Sequence, residues 1–279
     1  VRTWWEAVLR SGAFSLVLVL GVIACGSFAF FLSRPDLAGA LSALPSNPWW
    51  LVYQDAGPKN GAQPLEIIAA TAVATATGFL FSLRSQRLHS RRRTPVFPYL
   101  LLFFLTIGVE CLRGLTAVLY ATDSVLPVAV TLTRVVYWGR FVGLFALLFS
   151  SLYCTELNYS HVYVLGGGSL VVALAIAASI PIDQTTFLSQ LTWKLGDAEG
   201  AWFVNIVIAA LVLLTAIGAS ALKRDKRFLV VAGGFALLLV GRDLVFFMVD
   251  PLPLAGGILS LTAGAVVCLR SFGKIYKGD

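Results

Sequence analysis

Charge is what this sequence has least of. Asp, Glu, Lys and Arg make up 13% of its 279 residues, where an average soluble domain carries about 25%, and 58% of the chain is hydrophobic, with a mean hydropathy of +0.85. That balance excludes a water-soluble domain of useful size. Histidine is nearly missing. His89 and His161 stand at the edges of apolar runs, so the spans hold no histidine set for haem or zinc, and no metal or cofactor is expected. The lysines, Lys59, Lys194, Lys223, Lys226, Lys274 and Lys277, all fall in connections or tails, which excludes a retinal Schiff base deep in a helix. Cys25, Cys111, Cys154 and Cys268 form no CxxC pair and are expected as small buried hydrophobes, not as a disulfide framework. Two short motifs fail on their context. GASA at 218–221 has no histidine on a partnering helix, and GGGS at 166–169 lacks the Lys-Ser/Thr of a phosphate loop.

What the chain does have is a succession of apolar runs about 20 residues long, each enough to cross a hydrocarbon core of roughly 30 Å as a helix. Hydropathy, Pro/Gly breaks and charge place about eight spans, at 12–33, 65–83, 97–121, 126–152, 160–181, 202–222, 227–249 and 252–270. The expected fold is an all-α polytopic membrane helix bundle. Residues 1–64 hold an uncleaved first transmembrane helix and an outer interfacial loop, and residues 65–279 hold a seven-helix bundle. The net charge of +7 is carried mainly by short stretches between runs, RSQRLHSRRR at 84–93, KRDKR at 223–227 and RSFGKIYK at 270–277. This is the positive-inside pattern of a multi-pass protein of the plasma (inner) membrane with both termini cytoplasmic, and not a nucleic-acid patch. Membrane lipids with anionic headgroups are natural partners for it.

Two longer connections fall on the outer side. The first carries Pro45, Pro48, Trp49, Trp50 and Tyr53, as suits an interfacial segment. The second, PIDQTTFLSQLTWKLGDAEGA, sets Phe187, Leu188, Leu191, Trp193 and Leu195 among polar residues and is expected to lie at the interface or to cap a cavity.

Six charged residues fall well inside the spans: Glu110, Arg113, Arg134, Arg140, Arg242 and Asp243. A charge at the bilayer centre costs a few kcal/mol or more, so such groups face a bundle interior and find partners. Glu110 and Arg113, at i and i+3, are placed to pair along one helix face. The adjacent Arg242 and Asp243 point about 100° apart and must look to other helices. Arg134 and Arg140 have no acid in their own span. Arg113, Arg134, Arg140 and Arg242 against Glu110 and Asp243 leave two positive charges over, which an anionic small molecule or a lipid headgroup would balance. The alternative is that backbone carbonyls, tyrosines such as Tyr120 and Tyr137, and water satisfy the guanidinium groups.

Spans two to eight, with the closing pattern LRSFGKIYK, resemble the seven-helix membrane sensor modules of bacterial signalling proteins. The resemblance implies a noncatalytic sensor or accessory subunit whose output passes through a separate protein partner or a homo-oligomer. A transporter or channel component could use the same charges. It would need a polar stripe along the whole path, and PYLLLFFLTIG and FLVVAGGFALLLVG are almost wholly apolar. A lipid-modifying enzyme with Glu110 or Asp243 as acid or base lacks a nucleophile, a metal set and a phosphate loop.

Overall fold

The computed structural model describes residues 2–42, 44, 64–92, 94, 96–123, 126–155 and 162–276. Its helices are α1 (Arg2–Ser33), α2 (Pro35–Ser42), α3 (Pro64–Arg92), α4 (Val96–Val109), α5 (Leu112–Ala121), α6 (Leu126–Leu152), α7 (Val162–Ser179), α8 (Ala198–Lys223), α9 (Arg227–Phe247) and α10 (Pro251–Ile275). Strands β1 (Ile182–Leu188) and β2 (Thr192–Leu195) form one hairpin between α7 and α8.

Among the described residues six helical segments are long and apolar enough to cross a membrane: α3, α4 with α5, α6, α8, α9 and α10. A seventh is reached if α1 and α2, bent by 100° at Arg34, count as one span, and the apolar part of α7 is shorter than these. The chain is thus a multi-pass helical bundle, with six to seven long spans among the described residues where the sequence suggests about eight. Pro45, Pro48, Trp49, Trp50 and Tyr53 lie outside the described residues.

Local chemistry sets the helix ends. Pro64 and Pro251 open α3 and α10 at positions whose amide would be unpaired in any case. Asp197 caps α8 by accepting from the Gly200 amide at 2.9 Å, and Arg224, with φ 53°, ends that helix in the left-handed region.

The six long segments close into a ring, α3–α4–α6–α8–α9–α10 and back to α3, each packed on the next. Helix α1 lies outside against α3 and α5, and α7 lies outside against α6. The closest seam is α9–α10, where Gly234, Gly241, Gly257 and Gly264 recur at seven-residue spacing. A methyl group at Gly241 would stand 2.5 Å from the Leu261 amide nitrogen and 2.8 Å from the Gly257 carbonyl. Backbone meets backbone there, as small residues allow in membrane helices. Toward the basic end, buried phenylalanines fill the ring: Phe97 and Phe235 each pack on Phe272, at 6.3 and 6.0 Å between centroids. Cys111, Cys154 and Cys268 are buried as expected of small hydrophobes, whereas Cys25 is exposed on α1.

The other end of the ring is closed by the hairpin, which replaces the amphipathic interfacial segment suggested by the sequence. Phe187, Leu188, Leu191, Trp193 and Leu195 are all buried, with Tyr120 stacked on Phe187 at 4.1 Å. Leu188 pairs with Thr192, so Ser189, Gln190 and Leu191 form a three-residue loop whose last residue takes φ 64°, the left-handed position such loops require. Leucine is tolerated there because its side chain is 1% exposed and packs among the α1, α3 and α5 residues. Near the hairpin base the hydroxyl and amide of Thr185 bond Asp183 and hold its carboxyl below the usual carboxylate range.

Candidate functional site: a buried charge cluster under the hairpin

The span at 96–121 is not one continuous helix. It breaks at Glu110 and Cys111, where Glu110 N bonds Ile107 O, Cys111 N bonds Gly108 O and Arg113 N bonds Glu110 O, all three residues apart. Such a tightened turn reorients the chain within a helix. It places the Glu110 side chain toward α6 and α9, while Arg113 points toward the hairpin tip and the end of α9.

Glu110 is fully buried and is the hub of the cluster. Its Oε1 accepts from Arg242 Nε at 2.8 Å and from Arg140 Nη1 at 3.5 Å. Arg140 also donates to Asp243 in a short ion pair, and Asn205 of α8 donates to the other Asp243 oxygen at 3.4 Å. Arg242 completes its fork on the carbonyls of Arg140 and Gly139, each at 3.3 Å. Gly143 makes this possible, because a Cβ on it would overlap the Arg242 guanidinium. The pairs reach across the ring interior, since α6 and α9 are not ring neighbours.

Arg113 does not pair with the Glu110 carboxylate, contrary to its i, i+3 spacing. Its Nε donates to the Glu110 backbone carbonyl at 3.3 Å, and its fork turns to α9: Nη1 bonds Phe246 O at 2.8 Å and Nη2 bonds Val245 O at 3.4 Å. Those carbonyls belong to the last turn of α9, which has no further amides to offer them and carries the negative end of the helix dipole. Thr71 of α3 accepts from Nη2 at 2.6 Å, and Gln190 O at the hairpin tip lies 3.5 Å from Nη1. Phe246 is held between two guanidinium groups, 4.6 Å from Arg113 and 4.0 Å from Arg140.

Arg134 stands apart. The sequence places it with the charges that face the bundle interior, but Arg134 is exposed on α6 and joins no ion pair among the described residues. Its long side chain can carry the charge toward the membrane surface without a buried partner. The excess inside the ring is therefore one positive charge, from Arg113, Arg140 and Arg242 against Glu110 and Asp243. Helix-end carbonyls and the Phe246 ring face it. Tyr120 plays no part in this and stacks on the hairpin. Tyr137 lies against Thr192 and Gln190 of the tip.

The sequence offered little sign of Thr71, Gly143, Phe246 and Gln190, which serve the cluster through a hydroxyl, a missing side chain, a ring face and a backbone carbonyl. None belongs to a charged motif. Among the described residues no three His, Cys, Asp or Glu side chains gather as a metal group.

No family model, curated protein or solved structure matches this chain. Fold and site define a class, a multi-pass membrane helix bundle with a buried ion-pair cluster sealed by a β-hairpin.

Proposed function

We propose that the chain is a noncatalytic sensor or accessory subunit of the plasma (inner) membrane, with about eight spans, both termini cytoplasmic and the hairpin outside. One observation carries this reading: the hairpin tip meets, at Arg113, the same guanidinium that binds the end of α9, and the α4–α5 break leads from Arg113 to Glu110. An event that shifts the hairpin thus acts on the α4–α5 break and α9 together. Output then goes to a protein partner or a second copy. A free anion or lipid headgroup on Arg113, Arg134, Arg140 and Arg242 together is disfavoured, because Arg134 stands apart from the other three. Arg140 already bonds Glu110 and Asp243, and Arg242 bonds Glu110 and two α6 carbonyls, so the ring helices themselves supply their partners.

A transporter is the second reading, favoured by the broken helix beside buried charges. The phenylalanine packing toward the basic end speaks against a continuous polar path. Hydrogen exchange in lipid nanodiscs separates the two, using a variant whose Ser189–Leu191 loop is replaced by Asn-Gly. Coupling predicts faster exchange at Leu244–Met248 as well as in the hairpin. Exchange confined to the hairpin would overturn the sensor reading, and solute uptake by proteoliposomes would establish the transporter.

A further inference from the structure

Between α1, α3, the α4–α5 break and the hairpin tip lies a closely packed crevice, lined by Ala24, Ile67, Ile68, Thr71, Glu110, Arg113 and Leu191. As it stands, it is too tight for a water molecule. Glu110 uses only Oε1 in its ion pairs, and Oε2 is buried with no hydrogen-bond partner. A buried carboxylate oxygen left this way is costly, and such groups mark places where a donor belongs. Arg113 supplies the complementary group. Its partners on α3 and α9 stand on helices, at 2.6 and 2.8 Å, whereas Gln190 O belongs to the hairpin loop and, at 3.5 Å, is the longest of its contacts. In the same hairpin, Ser189 Oγ of the loop and Trp193 Nε1 of β2 are also buried without partners, a cost that the seated hairpin carries.

We propose that this crevice, widened by withdrawal of Leu191, binds a small zwitterion of the amino-carboxylate class. The ammonium group bonds Glu110 Oε2, the carboxylate replaces the Gln190 carbonyl on Arg113, and a small apolar side chain lies on Ala24, Ile67 and Ile68. Charge selects this class. A simple cation satisfies Oε2 but adds to a cluster already one positive charge in excess, and a simple anion meets the free carboxylate oxygen. A zwitterion satisfies both ends with no change in net charge, through two charge-assisted bonds. The inference rests on the movable hairpin of the sensor reading and names its stimulus.

The test uses the unaltered protein in lipid nanodiscs and isothermal titration with three probes: L-valine, isovalerate, which lacks the ammonium group, and isobutylamine, which lacks the carboxylate. L-valine is expected to bind with a Kd of about 1 mM or tighter, and each truncated probe at least about tenfold more weakly. Absence of L-valine binding, or equal binding of either truncated probe, overturns the site. Hydrogen exchange with L-valine present separates this from the function above. Binding that speeds exchange at Ser189–Trp193 and alters Leu244–Met248 supports both. Binding that alters the hairpin alone keeps the site and removes the sensor role.

Discussion

At the scale of single residues, the cluster separates charges that hold the bundle from one that does not. Glu110 bridges Arg140 and Arg242 through one oxygen. Removing its charge leaves two buried guanidinium groups facing each other with Asp243 alone, and losing one partner of a buried pair costs about 3–5 kcal/mol. Glu110→Gln should therefore lower thermal stability sharply in detergent or lipid, while Arg134→Leu, at an exposed position, should change it by less than about 0.5 kcal/mol. Equal melting temperatures for the two variants would refute the hub role of Glu110. Phe246 adds a third case. Its ring faces two guanidinium groups at 4.6 and 4.0 Å, so Phe246→Leu keeps an apolar side chain but gives up both contacts, each worth about 1–2 kcal/mol when desolvated. Loss of stability beyond the roughly 1 kcal/mol of a smaller core side chain, read from thermal unfolding, is the expected result.

At the scale of elements, the α9–α10 seam and the hairpin depend on different physics. Gly241→Ala puts a methyl group against the Leu261 and Gly257 backbone, which no side-chain motion can relieve. The helices must separate, at about 1–3 kcal/mol. A melting temperature unchanged by this substitution would mean the seam is looser than its geometry. In the hairpin, Leu191 sets two effects against each other. Glycine at φ 64° would relieve about 1–2 kcal/mol of backbone strain, while losing the burial of a leucine forfeits about 1.5–3 kcal/mol. Burial wins. Leu191→Gly should thus loosen the hairpin, seen as faster hydrogen exchange at Leu188 and Trp193, and slower exchange would show that strain dominates. The α4–α5 break was hidden from sequence reasoning because GVECLRG contains no proline, and its turn depends on Glu110 and Arg113 reaching opposite ways. The hairpin was hidden because alternating and amphipathic patterns are hard to tell apart over short segments.

At the scale of the whole molecule, orientation follows from where the basic residues lie. Arg84, Arg87, Arg224, Lys226, Arg227, Arg270 and Lys274 fall at the end of the bundle away from the hairpin. An impermeant maleimide should therefore label Thr185→Cys in intact cells and Arg224→Cys only after lysis, and the reverse order would invert the topology. The multi-pass membrane class of the chain and its runs of long apolar helices were legible from composition and hydropathy alone, because the cost of charge in hydrocarbon acts on every residue whatever the fold. Which charges meet was not. Arg113 and Glu110 look like a pair at helical spacing, yet the break turns one toward the α9 carbonyls and the other toward Arg242. Arg134 looks like one of the interior charges, yet the rotation of α6 leaves it exposed. Those outcomes depend on the closing of the ring and the seating of the hairpin, contacts between segments up to 133 residues apart. The sequence by itself determines that the chain belongs in hydrocarbon, because transfer cost acts residue by residue, whereas which charges are buried and which of them pair is decided only when distant helices come together.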